Sequence, residues 1–337
     1  MMEKRAFVTG ATGFVGGALV KRLIADGWQV VALVREGSDS TGLQSLGATV
    51  VTGDICRPES LAGAMAGCEI VFHCAALTGV GHRLADFYRV IADGSRDLLQ
   101  AAREQGVTRL VFVSSVAVYE LDGAAVCDEG QPRLGSSIDP YARAKIQAED
   151  ACLDAHRRGD LAVCIVRPAF IYGPGDRQGG FLPEVVRMMA AGKFKLIGGG
   201  RSPLPLIYIS DLAELLLRCG EAPQAAGEIY NACAADSPSW REVARTLSDA
   251  LNIDMPGSVS EKLVLPAASA METLVRLKCL RTLPLSKSAV MLLSRDVSFP
   301  ADKATRELGF VPRVGFAEGI RQSLPMLSTL LAQPTTT

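Results

Sequence analysis

A glycine-spaced loop beginning at the ninth residue constrains this chain more than any other feature. The run Thr9-Gly10-Ala11-Thr12-Gly13-Phe14-Val15-Gly16 follows a short β-rich stretch, Arg5–Thr9. It leads into a segment in which Val15, Leu19 and Leu23 recur every four residues until Gly27 interrupts. That recurrence puts the three side chains on one helical face, and a glycine is a common stop. The loop therefore joins a strand to the N-terminus of a helix. Glycines at such a junction make the tight turn, admit a phosphate close to the backbone, and let helix and strand pack closely. Free amides and the positive end of the helix dipole then attract an anion. Gly10, Thr12, Gly13, Phe14, Val15 and Gly16 are the candidate contacts for a dinucleotide pyrophosphate.

Further strands are expected at residues 29–34, 49–52, 69–73, 109–113 and 162–166, each a short apolar run rich in Val, Ile and Phe. Helix-period segments lie between them. This alternation implies a parallel sheet covered on both faces, a doubly wound α/β fold of Rossmann type. Residues 1–170 read as the dinucleotide-binding domain. After Arg167-Pro168 the texture changes to Gly- and Pro-rich loops, so residues 171–330 read mainly as a smaller substrate lobe. Segments within 206–235 are expected to return to the sheet, with 228–233 the best returning strand. Residues 331–337 read as a flexible tail.

Composition narrows the function. The 35 Lys and Arg nearly balance the 36 Asp and Glu, so there is no basic surplus for a nucleic-acid partner. Nine scattered cysteines contain no C-x-x-C pair, and the three histidines have no metal-ligand spacing. We expect reduced core thiols, a cytoplasmic location and no metal. The first residues, Met1-Met2-Glu3-Lys4-Arg5, enter a strand without an apolar leader. No apolar run approaches the roughly 18 residues a spanning helix needs.

The chemistry points to Tyr141-Ala142-Arg143-Ala144-Lys145, which follows Asp139-Pro140. Asp139 suits an N-cap and Pro140 the first helical position, which places Tyr141 in the first turn. Tyr141 and Lys145, four apart, share a face. A free tyrosine, with a pKa near 10, is a poor proton donor or acceptor at neutral pH. A neighbouring ammonium is expected to lower that value.

Several motifs occur in order along almost the whole chain: the glycine loop, Gly53-Asp54-Ile55, His73-Cys74-Ala75-Ala76, Ser114-Ser115, Tyr141 to Lys145, Arg167-Pro168 with Tyr172-Gly173-Pro174-Gly175, and Tyr208-Ile209-Ser210-Asp211-Leu212. In this order they resemble the extended branch of the short-chain dehydrogenase/reductase superfamily, the epimerase/dehydratase type. The resemblance implies a catalytic triad of Ser115, Tyr141 and Lys145, with Ser115 26 residues before the tyrosine. The serine would orient a substrate oxygen, the tyrosine exchange its proton, and the lysine also hold the nicotinamide ribose. Ser114 is the competing serine; Ser115 is preferred because it stands four residues before Tyr119, as in the family pattern. The resemblance further puts Asp54 and Ile55 at the adenine, lines the cofactor with Cys74, Ala75 and Ala76, and adds Pro168 and Ile171. One departure is Ile91, where many extended members carry Asn.

NAD-selective enzymes place a carboxylate at the end of the second strand. Here Val34 is followed by Arg35, whose guanidinium could pair with a 2′-phosphate, so NADP(H) is favoured and NAD(H) stays open. Glu36 could reach a ribose or repel that phosphate. Dehydratases of this family place acids beside the catalytic serine, and Ser115-Val116-Ala117 has none. Sugar-nucleotide enzymes commonly place an Arg where Leu204 stands, with Arg201 the nearest substitute. Leu263, Leu265, Met271, Leu274, Val275, Leu277, Leu280, Leu283, Val290, Met291, Leu292 and Leu293 are expected to line an apolar pocket. Lys262, Arg276, Lys278, Arg281 and Lys287 interleave with them, but membrane contact is the less favoured reading. The leading expectation is a dehydrogenase or reductase of a hydrophobic ketone or alcohol. A nucleotide-sugar 4-epimerase with tightly bound NAD and a non-catalytic dinucleotide-binding protein are the alternatives. The resemblance also implies a homodimer through helices next to Tyr141.

Overall fold

The computed structural model describes residues 4–79, 82–121, 125–134, 139–176, 180–277 and 287–332. Of the tail expected at 331–337, residues 331 and 332 end the helix Phe316–Ala332 rather than fray, and residues 333–337 lie outside the described residues, as do Leu280, Leu283, Lys278 and Arg281. Strands in chain order are β1 (Arg5–Thr9), β2 (Gln29–Val34), β3 (Thr49–Thr52), β4 (Ile70–His73), β5 (Arg109–Val113) and β6 (Ala162–Pro168). They continue with β7 (Phe170–Tyr172), β8 (Leu196–Ile197), β9 (Leu206–Tyr208), β10 (Ile229–Ala232) and β11 (Ser258–Val259). Seven form one sheet in the order β10-β6-β5-β4-β1-β2-β3, and every neighbouring pair is parallel.

Alternation along the strands builds two cores. Ala6, Val8, Val30, Ala32 and Phe72 face helices Phe14–Ala25 and Ile209–Glu221. Phe7, Val31, Val71, Leu110 and Phe112 face the other way, toward helices Gly94–Glu104 and Pro140–Arg157. Continuous apolar strands are what a parallel sheet covered on both faces requires. Strand order reverses between β1 and β4, and a crevice opens there beyond the carboxyl ends of the strands.

Beyond β6 the chain forms short parallel pairs, β7 with β9 and β8 with β11, and a third core around Tyr172, Leu206, Trp240 and Ile320. Helix Ile209–Glu221 and strand β10 return to the main sheet. Helix Asp302–Leu308 joins them through Lys303, whose Nζ donates to Glu228 at 2.6 Å, and Glu307, which accepts from Tyr230 Oη at 3.0 Å. One sequence expectation is corrected here. Leu263, Leu274 and Leu277 do not line a pocket: they are 74%, 41% and 67% exposed, because helix Glu261–Arg276 turns that face to solvent. Leu265, Met291 and Leu292 do point inward, against Val116, Tyr119 and Ala169.

Candidate active site

The glycine loop closes on itself before the helix begins. Gly13 N–H donates to Gly10 O at 2.9 Å, and Gly10 adopts φ +66°, a conformation that favours glycine. A Cβ on Gly10 would lie 2.8 Å from Ala75 N, and one on Gly16 would lie 2.2 Å from Gly10 O. Both neighbours are backbone. The helix that follows has Gly13 at its N-cap and no side-chain cap. Its first amides are therefore left for an outside acceptor, which suits a pyrophosphate.

Two adjoining cavities, of about 420 and 370 Å³, run from this loop along the strand ends. At the end beside β2 and β3, Thr12, Arg35, Asp54, Ile55 and Ala75 line the wall. Asp54 uses one carboxylate oxygen to accept from Cys56 N–H at 2.9 Å, an Asx turn that fixes the loop after β3. Arg35 is exposed, and its guanidinium has no ion-pair partner among the described residues. At the other end, Phe14, Val15, Gly16, Ser115, Tyr141, Lys145, Pro168 and Ile171 line the second cavity. Gly10, Gly13, Cys74 and Ala76 border both. Every position singled out from the sequence for the cofactor or the chemistry thus falls on these walls. Arg89, Thr78, Phe170, Asp176 and Phe181 line them as well and were not singled out. Asp176 ends the Gly173-Pro174-Gly175 turn, which was the available signal. Phe170 and Phe181, with ring centroids 4.4 Å apart, stack on the wall of the second cavity.

Asp139 caps helix Pro140–Arg157 by accepting from Tyr141 N–H at 2.9 Å, so the tyrosine enters the cavity from the first turn. Desolvation pushes its phenol up to about 12, with the nearby Ser115 side chain opposing the rise. The expected lowering by Lys145 is not found. Lys145 Nζ instead donates to Val113 O at 2.6 Å and lies 4.8 Å from the Phe112 ring centroid, 5.9 Å from that of Tyr141. Burial brings the ammonium down to about 8, with the Glu149 charge opposing the fall. Tyr141 is thus held protonated, the form that can donate.

Ser114 and Ser115 part company here. Both border the cavity, but Ser114 is buried and its Oγ donates to Glu149 at 2.6 Å, whereas Ser115 is less buried and its Oγ accepts from Ala117 N–H. Glu149, one turn beyond Lys145, also receives Arg167 Nε and Nη2 at 2.8 and 2.6 Å. A second chain of hydrogen bonds underlies the loop. Ser95 Oγ donates to Ile91 O, so it accepts from His73 Nε2 at 2.9 Å; His73 Nδ1 then accepts from Thr9 Oγ1 at 2.8 Å. Thr9 Oγ1 in turn accepts from Ala75 N–H at 3.2 Å. Burial, helped by Lys145, drives His73 down to about 3, so the ring is neutral. Ile91 sits in a π-helical segment, Tyr88–Asp93, and the polar side chain at this turn is Ser95 rather than an Asn.

The chain can be set beside known proteins. A family model described as the NAD dependent epimerase/dehydratase family matches residues 6–233. A 4-hydroxy-2-methyl-3-oxo-4-farnesyl-3,4-dihydroquinoline-1-oxide ketoreductase of Stigmatella aurantiaca is 34% identical, over 94% of each chain. A 2-alkyl-3-oxoalkanoate reductase of Stenotrophomonas maltophilia (strain K279a) is 30% identical, over 94% of this chain and 98% of the relative. The crystal structure of gox2253 superposes with TM-score 0.82 at 27% identity, covering 97% of this chain and 99% of that one. The fold and motif order define an enzyme of the extended short-chain dehydrogenase/reductase type. Within it, the chain belongs to the NAD dependent epimerase/dehydratase family.

Proposed function

We propose that this enzyme interconverts a ketone and a secondary alcohol on a hydrophobic small molecule, with Tyr141 as the proton donor and acceptor. The observation that carries the reading is the Ser115–Tyr141 pair, set into a cavity walled by Ala169, Phe170, Ile171 and Phe181. A carbonyl oxygen accepting from both hydroxyls would be oriented and polarised, and apolar walls strengthen such bonds by excluding water. When bound, a reduced nicotinamide supplies the hydride. The glycine loop and helix N-terminus hold its pyrophosphate, and Lys145 is the cation available to its ribose. Tyr141, held protonated, gives its proton to the substrate oxygen and takes one back in the oxidative direction.

Two relatives that act, by their names, on a farnesylated quinoline ketone and on alkyl-oxoalkanoates support an apolar carbonyl substrate. Leu204, where sugar-nucleotide members commonly carry Arg, is an apolar, fully buried residue, which favours a ketone over a sugar diphosphate. For the cofactor we favour NADP(H), on the unpaired Arg35, with NAD(H) as the competitor. A cleft of about 540 Å³ between helices Gly94–Glu104 and Pro140–Arg157 carries Arg96, Arg103, Asp150 and Asp154; its mixed charges suit a two-fold contact, and we assign the homodimer there. The eight cysteines among the described residues are free, as befits the cytoplasm, where we place the enzyme.

Tyr141→Phe tests the mechanism. Turnover of hydrophobic ketones should vanish while cofactor affinity stays within a few-fold; wild-type-like activity would refute it. Recovery of NAD from the purified native protein would favour an epimerase instead.

A further inference from the structure

Tyr141, Lys145 and Glu149 stand four residues apart on one face of helix Pro140–Arg157. The chemistry proposed above uses the first two. Glu149 is fully buried, a costly place for a charge unless its acceptor sites are met. Four donors converge on it. Oε1 accepts from Ser114 Oγ at 2.6 Å and Arg167 Nε at 2.8 Å, and Oε2 accepts from Arg167 Nη2 at 2.6 Å and Arg133 Nη1 at 3.3 Å. Stability alone does not call for such a pair, since packed apolar residues in its place are often as good or better.

The donors all grip the segment that carries Ser115. Ser114 precedes it at the end of β5, where its N–H donates to Val166 O at 2.7 Å. Arg167 is the next residue of β6, and its Cζ lies 4.7 Å from the ring centroid of Tyr119. Tyr119 Oη donates to Asn231 Oδ1 at 2.6 Å, and Asn231 is the register partner of Arg167 on β10. Arg133 faces Tyr119 in an antiparallel bridge, beside the bond from Leu134 N–H to Val118 O at 2.8 Å. One carboxylate thus ties down both ends of the turn Ser114–Tyr119. Inside it the Ser115 hydroxyl accepts from Ala117 N–H at 3.1 Å, so its direction follows from where the turn is held.

We propose that Glu149 is a positioning residue: through Ser114, Arg167 and Arg133 it holds Ser115 beside Tyr141, where both hydroxyls can meet one substrate oxygen. The effect on turnover rests on the ketone-reductase reading; the hold on the turn does not, because amide exchange measures it without turnover.

Glu149→Gln strips buried Arg167 of its counter-charge and can unfold the chain, so Ser114→Ala and Arg133→Met carry the test. Each removes one donor and leaves the Arg167–Glu149 pair in place. In the full chain, Ser114→Ala should lower kcat for a hydrophobic ketone about ten- to a hundredfold, as a displacement of about 1 Å does. Arg133→Met gives up the longest of the four bonds and should lower kcat less. Dinucleotide affinity, read by calorimetry, should stay within about twofold in both variants, which a general loosening of the site would not allow. In a Ser115→Ala background the same substitutions should cost under about twofold, because they act through Ser115. Hydrogen exchange of the 115–119 amides should quicken in Ser114→Ala. Full kcat in Ser114→Ala, a loss that multiplies with that of Ser115→Ala, a matching fall in dinucleotide affinity, or unchanged exchange would each overturn the proposal. If the wild type turns over no ketone, the reductase reading fails, and faster exchange at 115–119 still establishes the hold on the turn.

Discussion

Replacing Gly16 by alanine tests whether the loop is built to its tolerance. The new Cβ would lie 2.2 Å from Gly10 O, 2.6 Å from Gly10 C and 3.0 Å from Ala11 Cα, all backbone or directly attached to it. No side chain can swing away, so loop and helix must separate by about 1 Å to restore ordinary contact. Overpacking of this kind costs about 1–3 kcal/mol. A 1 Å displacement of positioning groups can cost about a hundredfold. We therefore expect Gly16→Ala to weaken dinucleotide binding ten- to a hundredfold, with urea unfolding showing a loss within the same 1–3 kcal/mol. Gly17 is the control. Its added Cβ would meet only Ala11 O, at 3.4 Å, an ordinary contact. In the same helix, Gly17→Ala should gain up to about 1 kcal/mol from helix propensity and keep its cofactor. Titration calorimetry with NADPH and NADH reads both variants. If Gly16→Ala binds within about twofold of wild type, the close approach of loop and helix does not hold the pyrophosphate. Equal damage from Gly17→Ala would point to the helix as a whole.

Three further outcomes are expected. Lys145, brought down to about 8 by burial, carries its ammonium only below that pH. Hence kcat/KM for the cofactor should fall as pH rises through it, and Lys145→Arg should carry the fall to higher pH; a profile unmoved by the substitution would sink the assignment. The stability sign is the reverse of a salt-bridged lysine's: the unfolded chain takes up the proton near 10.5, the folded one only near 8, so the native state loses stability as pH falls between them. Glu149→Gln would leave Arg167, 2% exposed, without its carboxylate, and should cost about 3–5 kcal/mol in denaturant unfolding. A loss under about 1 kcal/mol would show that the pair contributes little. Arg35→Ala should raise KM for NADPH far more than for NADH, and equal effects would remove the basis for preferring NADP(H).

Much of the site was legible because it is written in short-range patterns. Glycine spacing, strand–helix alternation and the Asp139-Pro140 start of the helix that carries Tyr141 each act over a few residues, through backbone preferences that hold before any long-range contact forms. Those patterns determined the sheet, the crevice and the walls that Ser115, Tyr141 and Lys145 share. Electrostatic character was not legible in the same way. Four-residue spacing put Tyr141 and Lys145 on one face, but Val113 O, 32 residues away in sequence, draws the ammonium back, and desolvation by distant elements raises the phenol. Spacing ahead of Tyr119 favoured Ser115 over Ser114, but the partner that engages Ser114, Glu149, lies 35 residues on and was not named from the sequence. The leucines of helix Glu261–Arg276 make the same point from the opposite side. Hydrophobicity alone assigned them all to a pocket, but a helix has more than one face, and only packing decided that Leu265 would meet the core while Leu263, Leu274 and Leu277 would meet the solvent. Periodicity sets which residues travel together. Which way each set points, and what charge it carries there, depends on what the rest of the chain brings against it.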